Sequence, residues 1–209
     1  MKKLFVLSMI VLSIIFFAPS FANIAQASAI ATPQNSATQA EIAPAKKVVM
    51  IHLVYTVGSS VWSAREITDA YNRATLAVNF WNAQAVPVQF KIADTSVAAI
   101  GFDSLNIERA SNLADSLSNA AVTVYLVRDP WSWYAYGFSR PGKYAVVAYT
   151  GIMSGVLAHE LGHVLGATDT YYWNGFTWGC RTQTDIMCKA SLVATPNAQT
   201  LGEINGFGW

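Results

Sequence analysis

The order of apolar patterns along the chain predicts an α+β fold in which a small mixed sheet is flanked by helices. Four short runs rich in β-branched and aromatic residues alternate with segments whose apolar residues recur at helical spacing. Beyond residue 46, roughly 160 residues remain, which is enough for one compact domain and too few for two. We therefore predict a single domain over residues 47–209.

The first 29 residues have the pattern of a signal peptide. Lys2 and Lys3 precede an uncharged apolar run at 4–18, and small residues at 25–29 suit a cleavage site. We expect export and removal of this segment; if it stays uncleaved, it would act as an N-terminal membrane anchor instead. Residues 30–46 are rich in Ala, Thr, Pro, Gln and Ser, which predicts a linker or a short pro-segment.

The first half of the domain contains three predicted strands. Residues 47–57 are almost continuously apolar, as in a strand that is covered on both faces. Residues 86–93 and 121–127 are the second and third predicted strands. Ser63 and Glu66 form a capping box, which predicts a helix from this point to Asn82. The polar stretch at 104–119 is predicted to carry a short helix.

Residues 128–143 form a predicted loop that is unusually rich in aromatic side chains. Its rings are Trp131, Trp133, Tyr134, Tyr136 and Phe138. They could form a substrate wall, stack against sugars, or pack over the end of the sheet. Residues 144–149 then form a fourth predicted strand, followed directly by a helix over 152–165. A last helix is predicted to start at Thr195 and Pro196, with Thr as its cap.

The helix over 152–165 and the residues after it carry the pattern HExxHxxGxxD. His159 and His163 lie one turn apart on one helix face, so both imidazoles can bind one metal ion. Glu160 lies on the adjoining edge, where it can act on a water molecule without being a ligand. Gly166 can take a positive φ and end the helix, which places Asp169 where a third ligand is needed. Two His, one carboxylate and an open fourth position are typical of catalytic zinc.

The two cysteines, Cys180 and Cys188, are predicted to form a disulfide bond. They lie close together in a chain that we expect to be exported. A metal site at these thiols is the alternative, but no nearby His could complete it. The remaining histidine, His52 on the first strand, is interpreted as a structural residue.

The charge of the chain limits its partners. The formal net charge is +1, 12% of the residues are charged, and no run of Lys or Arg follows the leader. This composition gives no indication of a nucleic-acid partner or of a membrane partner for the mature form. We expect a monomer.

These residues resemble the metzincin clan of zinc metallopeptidases, and within it the snapalysin-like secreted bacterial peptidases. The match consists of the HExxH motif with Gly166 and Asp169, where most metzincins have a third His instead of Asp. Met187 lies at a suitable distance for the clan's Met-turn, which runs beneath the metal. The resemblance implies a mixed, mostly parallel, twisted sheet packed with helices. It also implies that residues 144–149 are an edge strand beside the cleft, where an extended substrate would pair.

The resemblance further implies a secreted zinc endopeptidase that cleaves internal peptide bonds of proteins with one catalytic Zn²⁺. Glu160 would be the general base and acid, and His159, His163 and Asp169 the ligands. Many metzincins place a Tyr shortly after the Met-turn, but this chain has none there. Tyr171 is therefore assigned to stabilise the oxyanion, as snapalysin-type sequences have a Tyr at that position. Tyr172 is the weaker candidate.

Two other functions are compatible with the sequence. One is a secreted module that binds carbohydrates or surfaces and holds a structural metal. The open fourth position and Glu160 argue against it, because a structural site usually closes with four protein ligands. The other is a hydrolase of cell-wall peptides, which the motif alone does not distinguish from an endopeptidase of proteins.

Overall fold

The computed structural model describes residues 45–57, 61–103, 106–118, 122–128, 137–173, 178–182 and 184–209. The predicted signal peptide, most of the predicted linker and the aromatic residues at 131–136 lie outside these ranges. The strands are β1 (Lys47–Thr56), β2 (Val88–Ala98), β3 (Val122–Val127), β4 (Gly137–Arg140), β5 (Tyr144–Ala148), β6 (Tyr171–Trp173) and β7 (Trp178–Cys180). The helices are α1 (Ala64–Asn82), α2 (Ile107–Leu117), α3 (Met153–Val164), α4 (Ile186–Lys189) and α5 (Ala198–Gly206).

Five of the strands form one mixed sheet in the order β2-β1-β3-β5-β4. The first four of these are parallel to one another, and β4 runs antiparallel to β5. A separate antiparallel pair, β6 and β7, follows α3. The predicted α+β class, with a small mixed sheet packed with helices, is therefore confirmed.

Among the described strands, β4 is the edge strand beside α3, so the prediction that residues 144–149 form the edge is wrong. β5 lies between β3 and β4, and all five of its residues are fully buried. Gly142, with φ +70°, allows the tight turn that folds β4 back onto β5. Strand β4 has only four residues and lacks a period-two apolar pattern. From the sequence alone, these residues are therefore predicted as part of the aromatic loop.

Helices cover both faces of the sheet. On one face, α1 and α3 pack with the largest buried cluster, where the Trp81 indole N–H donates to the Ala158 carbonyl at 2.6 Å. On the other face, Ala110 and Ala114 of α2 pack against Tyr125 of β3 and its neighbours on β5. No helix in the described part of the chain has the length and apolar character needed to cross a bilayer.

Most element boundaries follow the local signals. The capping box at the start of α1 is present, because Ser63 accepts from the Glu66 amide and Glu66 accepts from the Ser63 amide. The predicted start of the last helix at Thr195 is wrong. The Thr195 amide donates to the Thr184 carbonyl, and the Thr195 carbonyl accepts from the Ile186 amide. Helix α5 instead begins after Asn197, whose side chain accepts from the Thr200 amide at 2.8 Å.

Two glycines let α4 approach α3 closely. A Cβ at Gly162 would overlap the Met187 sulfur, and one at Gly155 would overlap the Ala190 carbonyl oxygen. Ala190 ends α4 in the left-handed conformation, with φ 47°. Because the obstacle at Gly155 is main chain, rotation of a side chain cannot relieve it.

We expect Gly155→Ala to lower the free energy of unfolding by about 1–3 kcal/mol, the usual cost of overpacking. Urea denaturation followed by circular dichroism, with chelator present for all proteins, measures the change. Gly202→Ala is the matched control in α5, because a Cβ there meets nothing within 4 Å. Gly202→Ala should stabilise by up to about 1 kcal/mol through helix propensity. Equal effects of the two substitutions would contradict the close contact at Gly155.

Candidate metal centre

Helix α3 and the loop after it bring three ligand groups together. The Nε2 atoms of His159 and His163 lie 3.2 and 3.1 Å from Oδ1 of Asp169. The two imidazoles meet at 4.8 Å between centroids with an angle of 89° between their planes. Within the described ranges, this is the one group of three His, Cys, Asp or Glu residues placed to share a metal ion. The structure thus brings together the three predicted ligands.

The hydrogen bonds on the far side of each imidazole define its tautomer. Nδ1 of His159 lies 3.0 Å from the Ile186 carbonyl oxygen, and Nδ1 of His163 lies 2.8 Å from that of Ala167. A carbonyl oxygen only accepts, so each Nδ1 carries the proton and donates. In the neutral rings, both Nε2 atoms therefore present lone pairs toward Asp169.

Asp169 completes a set of three acceptors that face one another. Its Oδ1 is buried and has no hydrogen-bond partner. Three acceptor lone pairs repel one another unless a cation lies between them, and two imidazole nitrogens with one carboxylate oxygen are ligands that zinc prefers. This set of ligand atoms fits zinc binding.

Gly166 turns the chain from α3 toward Asp169. Its φ is +100°, as predicted, and a Cβ there would lie 2.5 Å from the ring of Phe207. The amides of Gly166 and Ala167 donate to the carbonyls of His163 and Gly162, which is a Schellman termination of the helix. At position 166, any other residue would have a strained backbone, and its Cβ would collide with the Phe207 ring.

The residues on either side of Asp169 are held by buried or half-buried carboxylates. The Thr168 amide donates to Glu203 of α5 at 2.7 Å, and the Thr168 hydroxyl also donates to that carboxylate. The Thr170 hydroxyl donates to Asp185 at 2.8 Å. Sequence reasoning missed both acids, because neither belongs to a motif. The only local hint is the Thr on each side of Asp169.

Asp185 is fully buried and links three segments that are distant in sequence. Besides Thr170, its carboxylate accepts from the Thr200 hydroxyl at 3.1 Å and from the Asn197 side chain at 3.0 Å. It therefore ties the loop at 165–170, which contains Asp169 and is called the ligand loop below, to α5 and to the start of α4. The next turn places Met187, which is fully buried, against Gly162 of α3.

The predicted disulfide between Cys180 and Cys188 is confirmed. It joins β7 to α4, next to Met187. Tyr171 of β6 pairs with Cys180 of β7. The disulfide therefore also connects the segment that carries Tyr171 to α4, which packs against the helix that carries the two imidazoles. A covalent link of this kind restricts the movement of both segments.

Glu160 is buried beside the two imidazoles, at 5% exposure. Burial raises the pKa of its carboxyl above the ordinary value, although the nearby histidines and the Ser139 hydroxyl oppose this effect. Ser139 of β4 donates to Oε2 of Glu160 at 2.6 Å. Gly137, two residues earlier, leaves the space that Oε1 occupies, since a Cβ there would lie 2.9 Å from that oxygen. Sequence reasoning missed Ser139 because β4 was not predicted.

Tyr171 contacts the group formed by His159, His163 and Asp169, whereas Tyr172 points away from it. The Tyr171 ring stacks on His159 at 6.4 Å with an angle of 16°, and its hydroxyl hydrogen-bonds to Asp169. Tyr172 is 44% exposed, and its ring packs against Gly179 of the neighbouring strand. Alternation along β6 therefore directs only the first of the two rings to the histidines.

The environment keeps Asp169 charged and Tyr171 neutral. Burial raises the pKa of Asp169, but donation from His159 and His163, when these rings are protonated at Nε2, and from the Tyr171 hydroxyl outweighs this and holds the pKa well below the ordinary value. Burial, together with the hydrogen bond to Asp169, raises the pKa of Tyr171 far above its ordinary value. Near neutral pH, Asp169 is therefore an anion and Tyr171 a neutral hydrogen-bond donor.

These groups line an open cleft of about 680 Å³. One wall is the β4 segment with Phe138, Ser139 and Pro141, and the opposite wall is the ligand loop with Asp169 and Tyr171. Phe138 both lines this cleft and packs edge-on against Tyr144 at 6.3 Å, so it combines two of the alternatives considered for the aromatic loop.

Comparison with known proteins gives matches in structure but none in sequence. No protein-family model matches the chain, and no curated protein matches it in sequence. Archaemetzincin from Methanopyrus kandleri aligns with a TM-score of 0.50 and 17% identity, over 75% of this chain and 93% of that one. Metalloproteinase-II from Bacteroides fragilis aligns with a TM-score of 0.50 and 16% identity, over 76% of this chain and 52% of that one.

The chain thus spans about half the length of metalloproteinase-II. A chain from a chaperone–substrate complex aligns with a TM-score of 0.46 and 13% identity, over 77% of this chain and 34% of that one, which is too low a similarity to support a shared fold. The two metalloproteinase alignments join proteins of low identity, so they bear on architecture alone. The chain therefore shares with these two proteins a mixed, mostly parallel five-stranded sheet packed with helices.

Proposed function

We propose that the protein is a secreted zinc-dependent endopeptidase of the metzincin type, with one catalytic ion, and that it is similar to the snapalysin-like peptidases. The main support is the convergence of three acceptor atoms, Nε2 of His159, Nε2 of His163 and Oδ1 of Asp169, beside the buried carboxylate of Glu160, with no hydrogen-bond donor to that Oδ1. Export is proposed from the leader sequence, and the disulfide is consistent with it because such bonds persist in oxidising compartments.

The chemistry follows from the protonation states of the side chains. A zinc ion held by the two imidazoles and Asp169 would supply Lewis acidity, which acidifies a water molecule and polarises the scissile carbonyl. Glu160 takes the proton from the attacking water and later delivers it to the departing amine. Burial raises the pKa of Glu160, which makes this carboxylate a better proton acceptor than an exposed one. The neutral Tyr171 hydroxyl donates to the developing oxyanion, typically worth about 3 kcal/mol.

The outer edge of β4 is the proposed binding site for the peptide backbone. β4 is the last strand of the described sheet on this side, and Ser139 and Phe138 line the cleft. An extended peptide that pairs with this edge would pass directly in front of Glu160. Recognition of main chain on both sides of the cut favours internal bonds of proteins as substrates. It also distinguishes the proposal from a carbohydrate-binding module with a structural metal.

We expect Glu160→Gln to lower kcat/KM for casein by a factor on the order of 10²–10⁴, because the general base is lost while the shape is kept. Zinc bound per chain, measured by atomic emission, should not change. Glu108→Gln, which alters an exposed acid on α2, is the control and should retain activity. Chelation should also abolish hydrolysis, and zinc should restore it. Undiminished hydrolysis by Glu160→Gln would contradict the role of Glu160.

We expect Asp169→Asn to weaken zinc binding by at least about a hundredfold, since loss of a residue that merely orients a ligand already costs about ten- to a hundredfold. Equilibrium dialysis against a competing chelator gives the dissociation constant. Asp115→Asn is the control, because this acid pairs with Arg140 and Lys143 instead. Unaltered affinity in Asp169→Asn would mean that another residue is the third ligand.

Ser139→Ala should lower kcat by about tenfold while KM changes less than twofold, because a hydrogen bond to a charged group contributes about 1.5–3 kcal/mol. Zinc content should stay the same. Ser139→Thr keeps a hydroxyl and should restore most of the rate, and Ser116→Ala on the exposed face of α2 is the control. If Ser139→Ala and Ser139→Thr are equally active, the hydrogen bond to Glu160 does not position the base.

A further inference from the structure

The face of the sheet opposite α3 carries a second groove. Helix α2 covers β3 and β5 on this face, and a groove of about 700 Å³ remains over β1 and β2. Its apolar lining includes Val54, Ala98, Ile100 and Leu117. Its polar lining includes His52, Asp94 and Ser96. None of these residues takes part in the metal centre.

The three polar residues form a continuous hydrogen-bonded row. Asp94 Oδ1 lies 2.5 Å from Nδ1 of His52, and Nε2 of His52 lies 2.8 Å from the Ser96 hydroxyl oxygen. An ionised carboxylate only accepts, so Nδ1 of the neutral ring carries the proton and Nε2 accepts from the hydroxyl. This is the acid–imidazole–hydroxyl order by which a serine is made nucleophilic, and it is recognised by geometry rather than by position in the chain.

A β-bulge creates this row. Ile51 lies opposite Ile92, whereas the next residue, His52, lies opposite Asp94, so Ala93 is the extra residue on β2. In regular register, His52 would face Ala93. The shift instead puts Asp94 and Ser96, two residues apart on one strand face, on either side of the imidazole. Bulges of this kind often redirect side chains next to active sites.

The open edge of β2 offers a donor for an oxyanion. β2 is the last strand of the described sheet on this side. The Ala98 carbonyl accepts from the Val57 amide of the β1 side at 2.8 Å, so the Ala98 backbone faces inward. Successive residues direct their backbone groups to opposite sides, so the Val97 N–H points away from β1, toward the outer edge of the described sheet. Val97 directly follows Ser96, and an N–H next to a nucleophile is a common oxyanion donor.

We propose that Ser96, His52 and Asp94 form a second hydrolytic site, which cleaves small carboxylic esters with an apolar acyl group. The Ser96 oxygen bonds to the acyl carbon while its proton passes to Nε2 of His52. The carbon–oxygen bond of the ester then breaks, and the alcohol leaves with that proton. Water next attacks the acyl-serine, gives a proton to His52, and releases the carboxylic acid as Ser96 regains its proton.

The groove and the exposure of the row define the substrate. The acyl chain would lie against Val54, Ala98 and Ile100, which suits a short hydrocarbon chain. The side chains of His52 and Asp94 are 31% and 63% exposed, so a small ester reaches the row directly from solvent. We expect modest rates, since water screens an exposed carboxylate more strongly than a buried one.

The test uses the exported chain and two probes, p-nitrophenyl butyrate and a fluorophosphonate that labels activated serines. The native protein should be labelled at Ser96, as located by peptide mass mapping, and should hydrolyse the ester. Ser96→Ala should lower kcat/KM for the ester at least tenfold and remove the label. Thr95→Ala, on the neighbouring residue of the same strand, is the matched control and should do neither.

Glu160→Gln separates this site from the metal centre. It should retain both ester hydrolysis and labelling, and an excess of chelator should not affect either. Loss of ester hydrolysis in Glu160→Gln would assign that activity to the metal centre and overturn the proposal. Absence of label on Ser96 in the native protein would also overturn it, whatever the stability of Ser96→Ala. Neither result would bear on the cleavage of casein.

Discussion

The mutual approach of three acceptors, the Nε2 atoms of His159 and His163 and Oδ1 of Asp169, is the constraint on which the rest of the structure depends. Without a cation these groups repel one another, so the fold itself must hold them in place. It does so from behind each ligand. Two backbone carbonyls hold the imidazoles by Nδ1, and two acids hold the threonines on either side of Asp169.

The C-terminal helix therefore supports the candidate metal centre, although none of its residues is among the three predicted ligands. Glu203 and Thr200 of α5 reach the ligand loop directly and through Asp185, and Phe207 packs over Gly166. The Trp209 indole N–H also donates to the Leu165 carbonyl at the end of α3. The last residues of the chain thus stabilise the turn that directs Asp169 toward the histidines.

Strand β4 would connect substrate recognition to the proposed base, Glu160. One face of this short strand contacts Glu160 through Gly137 and Ser139, and its outer edge is the last edge of the sheet in the described part of the chain. A peptide bound along that edge would be held by the same strand that positions the carboxylate. On the other side of the sheet, a single bulge in β2 produces the row of Asp94, His52 and Ser96. Sheet edges thus provide the setting for both proposed sites.

The sequence by itself determined the features that depend on neighbours along the chain. These are the capping box of α1, the helical spacing that puts His159 and His163 on one face, and the turn at Gly166. Each is written within a few residues, where helix geometry relates spacing to position. The α+β class followed from the same local periods.

Only the tertiary structure decided which distant residues support these features. Ser139 reaches Glu160 because β4 folds back on β5, and Asp185 reaches Thr170 because α4 returns beneath α3. His52 meets Asp94 across two strands because of a register shift that no pattern announces. Contacts of this kind join residues far apart in the chain, and strand pairing, which sets them, depends on the packing of the whole sheet.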